Sequence, residues 1–235
     1  MKKTTLTLLV STLLLACGAE EGTESDNNST ADNSQNEEIT DEENSEEELL
    51  DIEILLEKVE NVPVECEYKG QMNDAYTWTD KKGINYFIRT IGTVKEENDA
   101  DFVYTSQNLY AYHYVQKNGN TTLVREVTDF VEDCEFDLIM GHELGAISLT
   151  DIDEDQIGEI SFIYRLTCTS DVSPSTQKLI MLEDGEKYPL RGTTRVMDFG
   201  GEFEAGEEFN KAPNGFLDHA TKMWNDNLKE YDFDL

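Results

Sequence analysis

The chain has 235 residues, with 51 Asp and Glu against 18 Lys and Arg, and its formal net charge is −33. This charge argues against nucleic acid as a partner, because phosphate binding requires Lys and Arg that displace counterions. It argues equally against docking of a basic patch on anionic lipid headgroups. Such a chain is suited to binding cations, although a merely solvated acidic surface is the alternative.

The N-terminus has the pattern of an export signal. Two lysines precede an apolar run over residues 6–15, and Ala16 and Cys17 follow. The run is too short to span a bilayer, which needs about 20 apolar residues, but it is typical of a signal peptide. A Cys directly after a small residue resembles the bacterial lipobox, in which a peptidase cuts before the Cys and a diacylglycerol is attached to its sulfur. We therefore predict a lipoprotein signal peptide over 1–16 and lipidation of Cys17, with an ordinary secretory signal as the alternative.

The next segment is strongly acidic. Residues 18–50 contain 13 Asp or Glu and no Lys, Arg or His. Such a composition cannot bury enough apolar surface to fold, and its self-repulsion keeps it extended. We predict that 17–50 is a disordered tether on the outer membrane. Acidic residues just after a lipidated Cys, here within 18–21, resemble a Bacteroidota signal for the cell surface; a tether on the periplasmic face is the alternative.

The remaining residues, 51–235, are predicted to form a single globular domain. At its start, apolar residues over 49–56 predict a short helix before Pro63, preceded by a capping box at Ser45 and Glu48.

Alternating apolar residues and Gly-containing turns then predict four successive β-hairpins, and hence an antiparallel arrangement. The predicted strand pairs are 76–78 with 84–89, 109–115 with 122–127, 146–149 with 160–166, and 178–182 with 187–190. After Pro213, apolar residues recur at helical spacing from Phe216 to Leu228. This stripe is expected to pack on a sheet, with a cofactor or partner groove as the alternative. The predicted fold class is α+β, β-dominated, with an antiparallel sheet of hairpins and a C-terminal amphipathic helix.

Three cysteines remain after Cys17, namely Cys66, Cys134 and Cys168. An exported protein can form disulfides, and three thiols allow three single pairs. We favour Cys134 with Cys168, because both lie at the ends of predicted strands in the same half of the domain. Three free buried thiols are the alternative.

The acidic loop from Asp151 to Glu159 lies between two predicted strands. Oxygens at alternating positions of a tight loop can converge on a hard cation, and calcium takes six to eight oxygen ligands at about 2.3–2.6 Å. We therefore predict a structural calcium site. Its expected ligands are the carboxylates of Asp151, Asp153, Asp155 and Glu159 and the backbone carbonyl of Ile157.

This loop differs from an EF-hand, because Gln156 replaces the Gly at position six and Phe162 replaces the Glu at position twelve. It more closely resembles the short calcium loops of integrin-type propeller repeats, although a single loop argues against a propeller. A left-handed backbone costs Gln more than Gly, so a weak site or a metal-free polar hairpin is the alternative.

No catalytic residue is predicted. The histidines, His113, His142 and His219, accompany no nucleophile or metal-binding motif, and His113 fits a hydrogen-bonded histidine in a strand. Paired carboxylates can hydrolyse glycosides, but no pair stands out in so acidic a chain.

Several motifs together resemble a Bacteroidota family of exported proteins described as surface polysaccharide biosynthesis proteins. They are Trp78-Thr79-Asp80, Leu109 to Tyr114, Val127 to Cys134, the loop 151–159, Asp171 to Pro174, Lys187 to Gly192, and the helix around Trp224. The resemblance spans about residues 75–230 and implies a role in surface polysaccharide production or display. It supplies no catalytic residues.

We therefore expect a non-enzymatic surface lipoprotein that is associated with surface polysaccharide production or display, or with glycan binding through exposed Tyr and Trp. An extracellular glycan-active enzyme and a structural subunit of an envelope complex are the alternatives. The expected partners are the membrane, through the lipid anchor, and polysaccharide or envelope proteins.

Overall fold

The computed structural model describes residues 53–99, 102–228 and 230–231. The predicted signal peptide over 1–16, Cys17, the tether over 17–50 and the capping box lie outside the described residues. Neither described helix has the length and apolar character needed to cross a membrane.

The described residues form fourteen strands, one 3-10 helix and one α-helix. The strands are β1 (Glu57–Val59), β2 (Gln71–Asp80), β3 (Gly83–Ile91), β4 (Lys95–Asp99), β5 (Phe102–Lys117), β6 (Asn120–Cys134), β7 (Asp137–Thr150), β8 (Glu159–Thr169), β9 (Thr176–Glu183), β10 (Glu186–Thr193), β11 (Arg195–Val196), β12 (Phe199–Gly200), β13 (Phe203–Ala205) and β14 (Glu230–Tyr231). The 3-10 helix covers Glu207–Asn210, and the α-helix, α1, covers Phe216–Asp226.

These strands form three sheets. In the first, the order is β1-β2-β3-β5-β6, and β4 pairs with the start of β5 on the same edge as β3. The second has the order β13-β10-β9-β8-β7, and the third has the order β12-β11-β14. All pairs are antiparallel except β11 with β14. The predicted β-dominated α+β fold is confirmed, with a parallel pair that the sequence did not indicate.

The four predicted hairpins are β2-β3, β5-β6, β7-β8 and β9-β10, and all four are confirmed. Two of them close through two-residue turns in which both residues have positive φ. These are Asn118 (φ 53°) with Gly119 (φ 78°), and Asp184 (φ 42°) with Gly185 (φ 86°). Asn-Gly and Asp-Gly tolerate this left-handed backbone, which matches the twist of the flanking strands.

The first two sheets pack face to face. The apolar core between them joins Trp78, Phe87 and Leu109 of the first sheet to Phe162 and Leu182 of the second, among others. Successive side chains of a strand point to opposite faces, so alternate residues of these strands, such as Ile160, Phe162 and Tyr164 of β8, face this core.

Each sheet is also covered on its outer face. Phe216, Met223 and Trp224 of α1 pack against the second sheet, which confirms that the C-terminal apolar stripe faces a sheet. Cys66, in the segment between β1 and β2, packs against the outer face of the first sheet beside Tyr112. The described residues therefore build four layers with the two sheets in the middle.

The short helix predicted over 49–56 is wrong for residues 53–56, which have no helical structure and lead into strand β1. Residues 49–52 lie outside the described part. Ile54 and Leu56 are half-buried and pack against the core between the sheets, while Leu55 between them is exposed. This spacing of two fits an extended chain, and short apolar runs do not distinguish the two structures by periodicity alone.

A buried ion pair joins two neighbouring strands of the first sheet, β2 and β3. Arg89 Nε lies 2.7 Å from Asp74 Oδ1, and both side chains are almost inaccessible to solvent. Arg89 Nη1 also donates to the carbonyl of Glu143 in β7, 3.3 Å away, so the guanidinium links the two sheets. Burial alone would raise the pKa of Asp74, but the hydrogen bonds and charge of Arg89 lower it overall.

Replacing one partner of this pair should destabilise the fold strongly. Arg89→Met leaves the Asp74 carboxylate buried without its cation, and we expect the free energy of unfolding to fall by about 3–5 kcal/mol. Urea unfolding followed by circular dichroism measures this. Asp226→Ala, which breaks the exposed Lys222–Asp226 pair of α1, is the control and should cost less than about 1 kcal/mol. Equal effects of the two substitutions would contradict the role given to the buried pair.

Candidate metal centre

The predicted acidic loop, residues 151–158, lies at an end of the sandwich where turns from both sheets meet. The Lys81 N–H of the β2-β3 turn donates to the carbonyl of Gln156 at 2.9 Å. Lys82 Nζ lies 2.7 Å from Asp184 Oδ2 in the β9-β10 turn. The loop is therefore held against the first sheet, and the same turn of that sheet reaches the end of β9.

Asp80 fixes the end of this loop. Its Oδ2 accepts hydrogen bonds from Trp78 Nε1 at 3.0 Å and from the Gly158 N–H at 3.2 Å, while Oδ1 accepts from the Lys82 N–H at 2.8 Å. A side chain at residue 158 would not fit, because its Cβ would lie 2.8 Å from the indole nitrogen of Trp78. This close approach places the first residue of β8, Glu159, directly beneath the loop.

The loop backbone folds around its own carboxylates. The Gln156 N–H donates to Asp151 Oδ2 at 3.1 Å, and the Ile157 N–H donates to Asp155 Oδ1 at 2.8 Å. Gln156 (φ 68°) and Glu154 (φ 60°) are both left-handed. Gln156 thus has a left-handed backbone conformation that favours Gly, and this strains the backbone.

Five carboxylates converge here in two overlapping groups. Asp151, Asp153 and Glu159 each offer an oxygen within 4.8 Å of the others, and so do Asp153, Asp155 and Glu183. The structure therefore brings together the four carboxylates predicted as ligands and adds a fifth. The part of the Ile157 carbonyl as a ligand stays a prediction; the Ile157 side chain is buried.

Glu183, the last residue of β9, was missed by the sequence analysis. Because Ile160 pairs with Leu182, the antiparallel register places Glu183 opposite Glu159. Glu183 is only 8% exposed, and its Oε1 has no hydrogen-bond partner among the described residues. The sequence does show Glu183 at the end of a predicted strand, before the Asp-Gly turn. Its position beside the acidic loop, however, follows only from the register between β8 and β9.

The electrostatics of this cluster favour a bound cation. Burial and then the charges of Asp153 and Glu159 raise the pKa of Glu183 to about 8. Burial raises the pKa of Glu159 despite hydrogen bonds from the Ile152 N–H, and burial followed by the charge of Asp155 raises the pKa of Asp153. Carboxylates crowded in a poorly solvated place repel one another unless protons or a cation neutralise them.

Oxygen ligands select a hard cation. Five carboxylates in an irregular arrangement suit calcium, which accepts six to eight oxygens in flexible geometry, better than magnesium, which demands a near-ideal octahedron. Asp151 Oδ1 is also buried without a hydrogen-bond partner in the described part of the chain. The residues present therefore fit the predicted calcium ion, and water or backbone carbonyls would complete its ligands.

The two strand histidines play structural parts. His113 Nε2 lies 2.8 Å from Asn85 Oδ1, and its ring stacks on Trp78 at 5.2 Å between centroids. His142 Nε2 lies within 3.2 Å of the carbonyl oxygens of Thr90 and Tyr110. Burial lowers the pKa of each histidine to about 4, so both are neutral at neutral pH.

The paired cysteines and both tryptophans are built into the fold of the domain. Cys134 and Cys168 form a disulfide, the pair that the sequence analysis favoured, and Cys66 is a free, buried thiol. Trp78 and Trp224 are only 2% and 0% exposed. The expectation that exposed tryptophans contact glycan is therefore wrong, because both indoles are needed in the cores.

Calcium should raise the melting temperature of the purified chain above its value in chelator. Calcium at about a hundredfold excess over Kd stabilises the folded chain by about 2.7 kcal/mol. For a domain of this size, each kcal/mol raises the melting temperature by roughly 2–4 °C. In Glu183→Gln the calcium shift should largely disappear. At neutral pH the metal-free variant should melt above the metal-free wild type, because folding of the wild type must keep Glu183 protonated above its ordinary pKa, whereas Gln has no charge to neutralise. Differential scanning fluorimetry measures both effects.

Glu154→Gln is the matched control, because Glu154 is an exposed carboxylate of the same loop outside both groups. It should keep the full calcium shift. A shift that persists in Asp153→Ala with Asp155→Ala would contradict the site.

The metal-free domain should lose stability as pH rises. Between the ordinary value of 4.5 and about 8, the folded chain holds a proton on Glu183 that the unfolded chain releases. The free energy of unfolding must then fall with pH across this window. Glu183→Gln lacks this titration, so the stability of the wild type minus that of the variant should decline towards pH 8 in urea unfolding with chelator.

Taking this difference removes the opposing contribution of His113 and His142, whose lowered pKa values destabilise the fold below about pH 6.5. A difference that does not change with pH would contradict the raised pKa of Glu183.

No protein-family model, curated protein or solved structure matches this chain. The chemistry of the centre is therefore inferred from its own geometry.

Proposed function

We propose that the chain is an exported lipoprotein whose β-rich domain is locked at one end by a structural calcium ion. The observation that carries this proposal is the buried Glu183 carboxylate, which lies beside Asp153 and Asp155 and has one oxygen without a hydrogen-bond partner among the described residues. Calcium would neutralise this cluster and hold the end of β9 to the β7-β8 loop. Extracellular calcium modules bind calcium with Kd values of about 10⁻⁴–10⁻³ M. Affinity this weak is compatible with the strained backbone at Gln156.

Two further features support a place outside the cytosol. The Cys134–Cys168 disulfide is typical of proteins that fold in an oxidising compartment. The predicted signal peptide, Cys17 and the acidic tether over 17–50 provide the route and the anchor. We place the domain on the cell surface, with the periplasmic face of the outer membrane as the alternative.

We further propose that the domain takes part in producing or displaying surface polysaccharide, as the motif resemblance over 75–230 implies. Binding is favoured over catalysis, because glycosidase carboxylates must flank the scissile bond. Glu159 and Glu183, both with raised pKa values, are 0% and 8% exposed, so this pair cannot flank a glycosidic bond. Tyr68, which is 40% exposed, remains an aromatic surface for sugar.

The surface glycan profile of cells with and without the gene tests the polysaccharide role. We expect deletion to change the profile and the intact chain to restore it. Cys17→Ala should fail to restore it, because the domain would no longer be anchored, whereas the control Cys66→Ala changes a cysteine without removing the predicted anchor and should succeed. Electrophoresis of extracted polysaccharide with lectin staining reads this out.

An unchanged profile after deletion would contradict the polysaccharide role and favour the structural subunit of an envelope complex. Release of new reducing ends when the purified chain is incubated with that polysaccharide would instead favour the glycan-active enzyme.

A further inference from the structure

A second charged cluster, of the opposite sign, lies on the face of β8, β9 and β10 that is turned towards the first sheet. Tyr164, Lys178 and Arg191 are directly opposed across β8, β9 and β10, so their side chains stand in one row on the same face. That face is turned towards the first sheet. From β6, Asp129 Oδ2 reaches this row and lies 2.9 Å from the Tyr164 hydroxyl and 2.5 Å from Lys178 Nζ.

Two further cations flank the row. Arg125 lies on the same face of β6 as Asp129, four residues earlier, and its Nε is buried without a hydrogen-bond partner among the described residues. Lys187 lies on the same face of β10 as Arg191. Burial and then the positive charges of Arg191 and Arg125 lower the pKa of Lys187, although Glu208 and Asp129 oppose this. We call Arg125, Lys178, Lys187 and Arg191 the basic cluster.

Acidic residues of the protein balance the basic cluster only in part. Asp129 pairs with Lys178, and Glu204 of β13 lies directly opposite Arg191. Arg125, Lys187 and Arg191 nevertheless form no salt bridge within the described residues. Like charges directly opposite each other on neighbouring strands, as in Lys178 and Arg191, destabilise a sheet. Four of the 18 basic residues of a chain with 51 acidic residues are concentrated here. An anion placed among them would relieve this repulsion and provide an acceptor for the Nε of Arg125.

The net charge of the chain restricts which anion can approach. A chain of formal charge −33 repels a polyanion, whereas the basic cluster attracts an anionic group locally. A ligand with one charged group on an otherwise neutral body keeps the local attraction and avoids most of the repulsion. Guanidinium groups bind the oxygens of carboxylate, sulfate and phosphate through paired hydrogen bonds.

We propose that the basic cluster binds a single anionic group carried by a saccharide, with Arg125, Lys187 and Arg191 contacting its oxygens and Lys178 shared between the ligand and Asp129. This proposal rests on the polysaccharide role of the domain and names the part of the glycan that is recognised. Asp129 competes with the ligand for Lys178, and the Tyr164 hydroxyl donates a hydrogen bond to the same carboxylate oxygen.

An NMR titration of the full chain in detergent with methyl β-D-glucuronide tests this binding. Methyl β-D-glucoside has the same ring without the carboxylate and is the matched neutral probe. Inorganic sulfate is the probe for a free anion. We expect saturable shifts with the glucuronide, including the Nε–H signal of Arg125, and none with the glucoside.

The variants should act in opposite directions. Lys187→Gln and Arg191→Gln should each weaken glucuronide binding about tenfold, since a charged hydrogen bond is lost. Lys95→Gln makes the same charge change at an exposed site on β4 and should leave binding unchanged. Asp129→Asn removes the internal carboxylate that competes for Lys178 and should strengthen binding. Amide spectra that match the wild type away from the cluster show that each variant is folded.

Three results would overturn the proposal. The first is the absence of saturable shifts with the glucuronide. The second is a loss of glucuronide binding in Lys95→Gln as large as in the variants of the basic cluster. The third is sulfate binding as tight as glucuronide binding, which would show that the saccharide is not recognised. None of them changes the calcium shift or the glycan profile of the deletion strain, so the failure of this proposal is distinguishable from failure of the proposed function.

Discussion

Strands β8 and β9 are covered on both faces, by the first sheet on one side and by α1 on the other, and this double burial constrains the rest of the molecule. Side chains on either face of these strands are kept from solvent over nearly their whole length. The carboxylates at adjoining strand ends, Glu159 and Glu183, are therefore held together where water cannot separate their charges. The candidate metal centre follows from this geometry, because the neighbouring loop adds three more carboxylates to a place that already has too few counter-charges.

The other buried carboxylates show what a satisfied site in this fold looks like. Asp80 accepts hydrogen bonds from one indole and three backbone N–H groups, and Asp74 is paired with Arg89. Glu183 differs from both, because one of its oxygens is left without a partner in the described residues. Buried polar groups in native proteins are almost always hydrogen-bonded. This contrast, more than the number of acidic residues, identifies Glu183 as the carboxylate that the proposed cation would neutralise.

Much of this could be predicted because the signals are local. Turn residues such as Asn118 and Gly119 specify their hairpins over a few positions, and the loop carboxylates lie within nine residues of one another. Glu183 could not be predicted, since its place depends on the register between β8 and β9, which packing sets. The same holds for the parallel pairing of β11 with β14, which joins two-residue strands from distant parts of the chain. The apolar run that includes residues 53–56 was too short for its periodicity to distinguish a helix from an extended strand.

The Cys134–Cys168 disulfide has a consequence for the life of the precursor. In the cytosol thiols are kept reduced, so a newly made chain would lack this cross-link until it had left. Its crowded carboxylates would also face each other without the calcium concentrations found outside the cell. If the chain is exported as proposed, its fold is weakest while it must remain unfolded enough to be threaded through a membrane. Outside the cytosol, the disulfide and calcium would stabilise the fold, so the exported compartment itself would complete the folding of the chain.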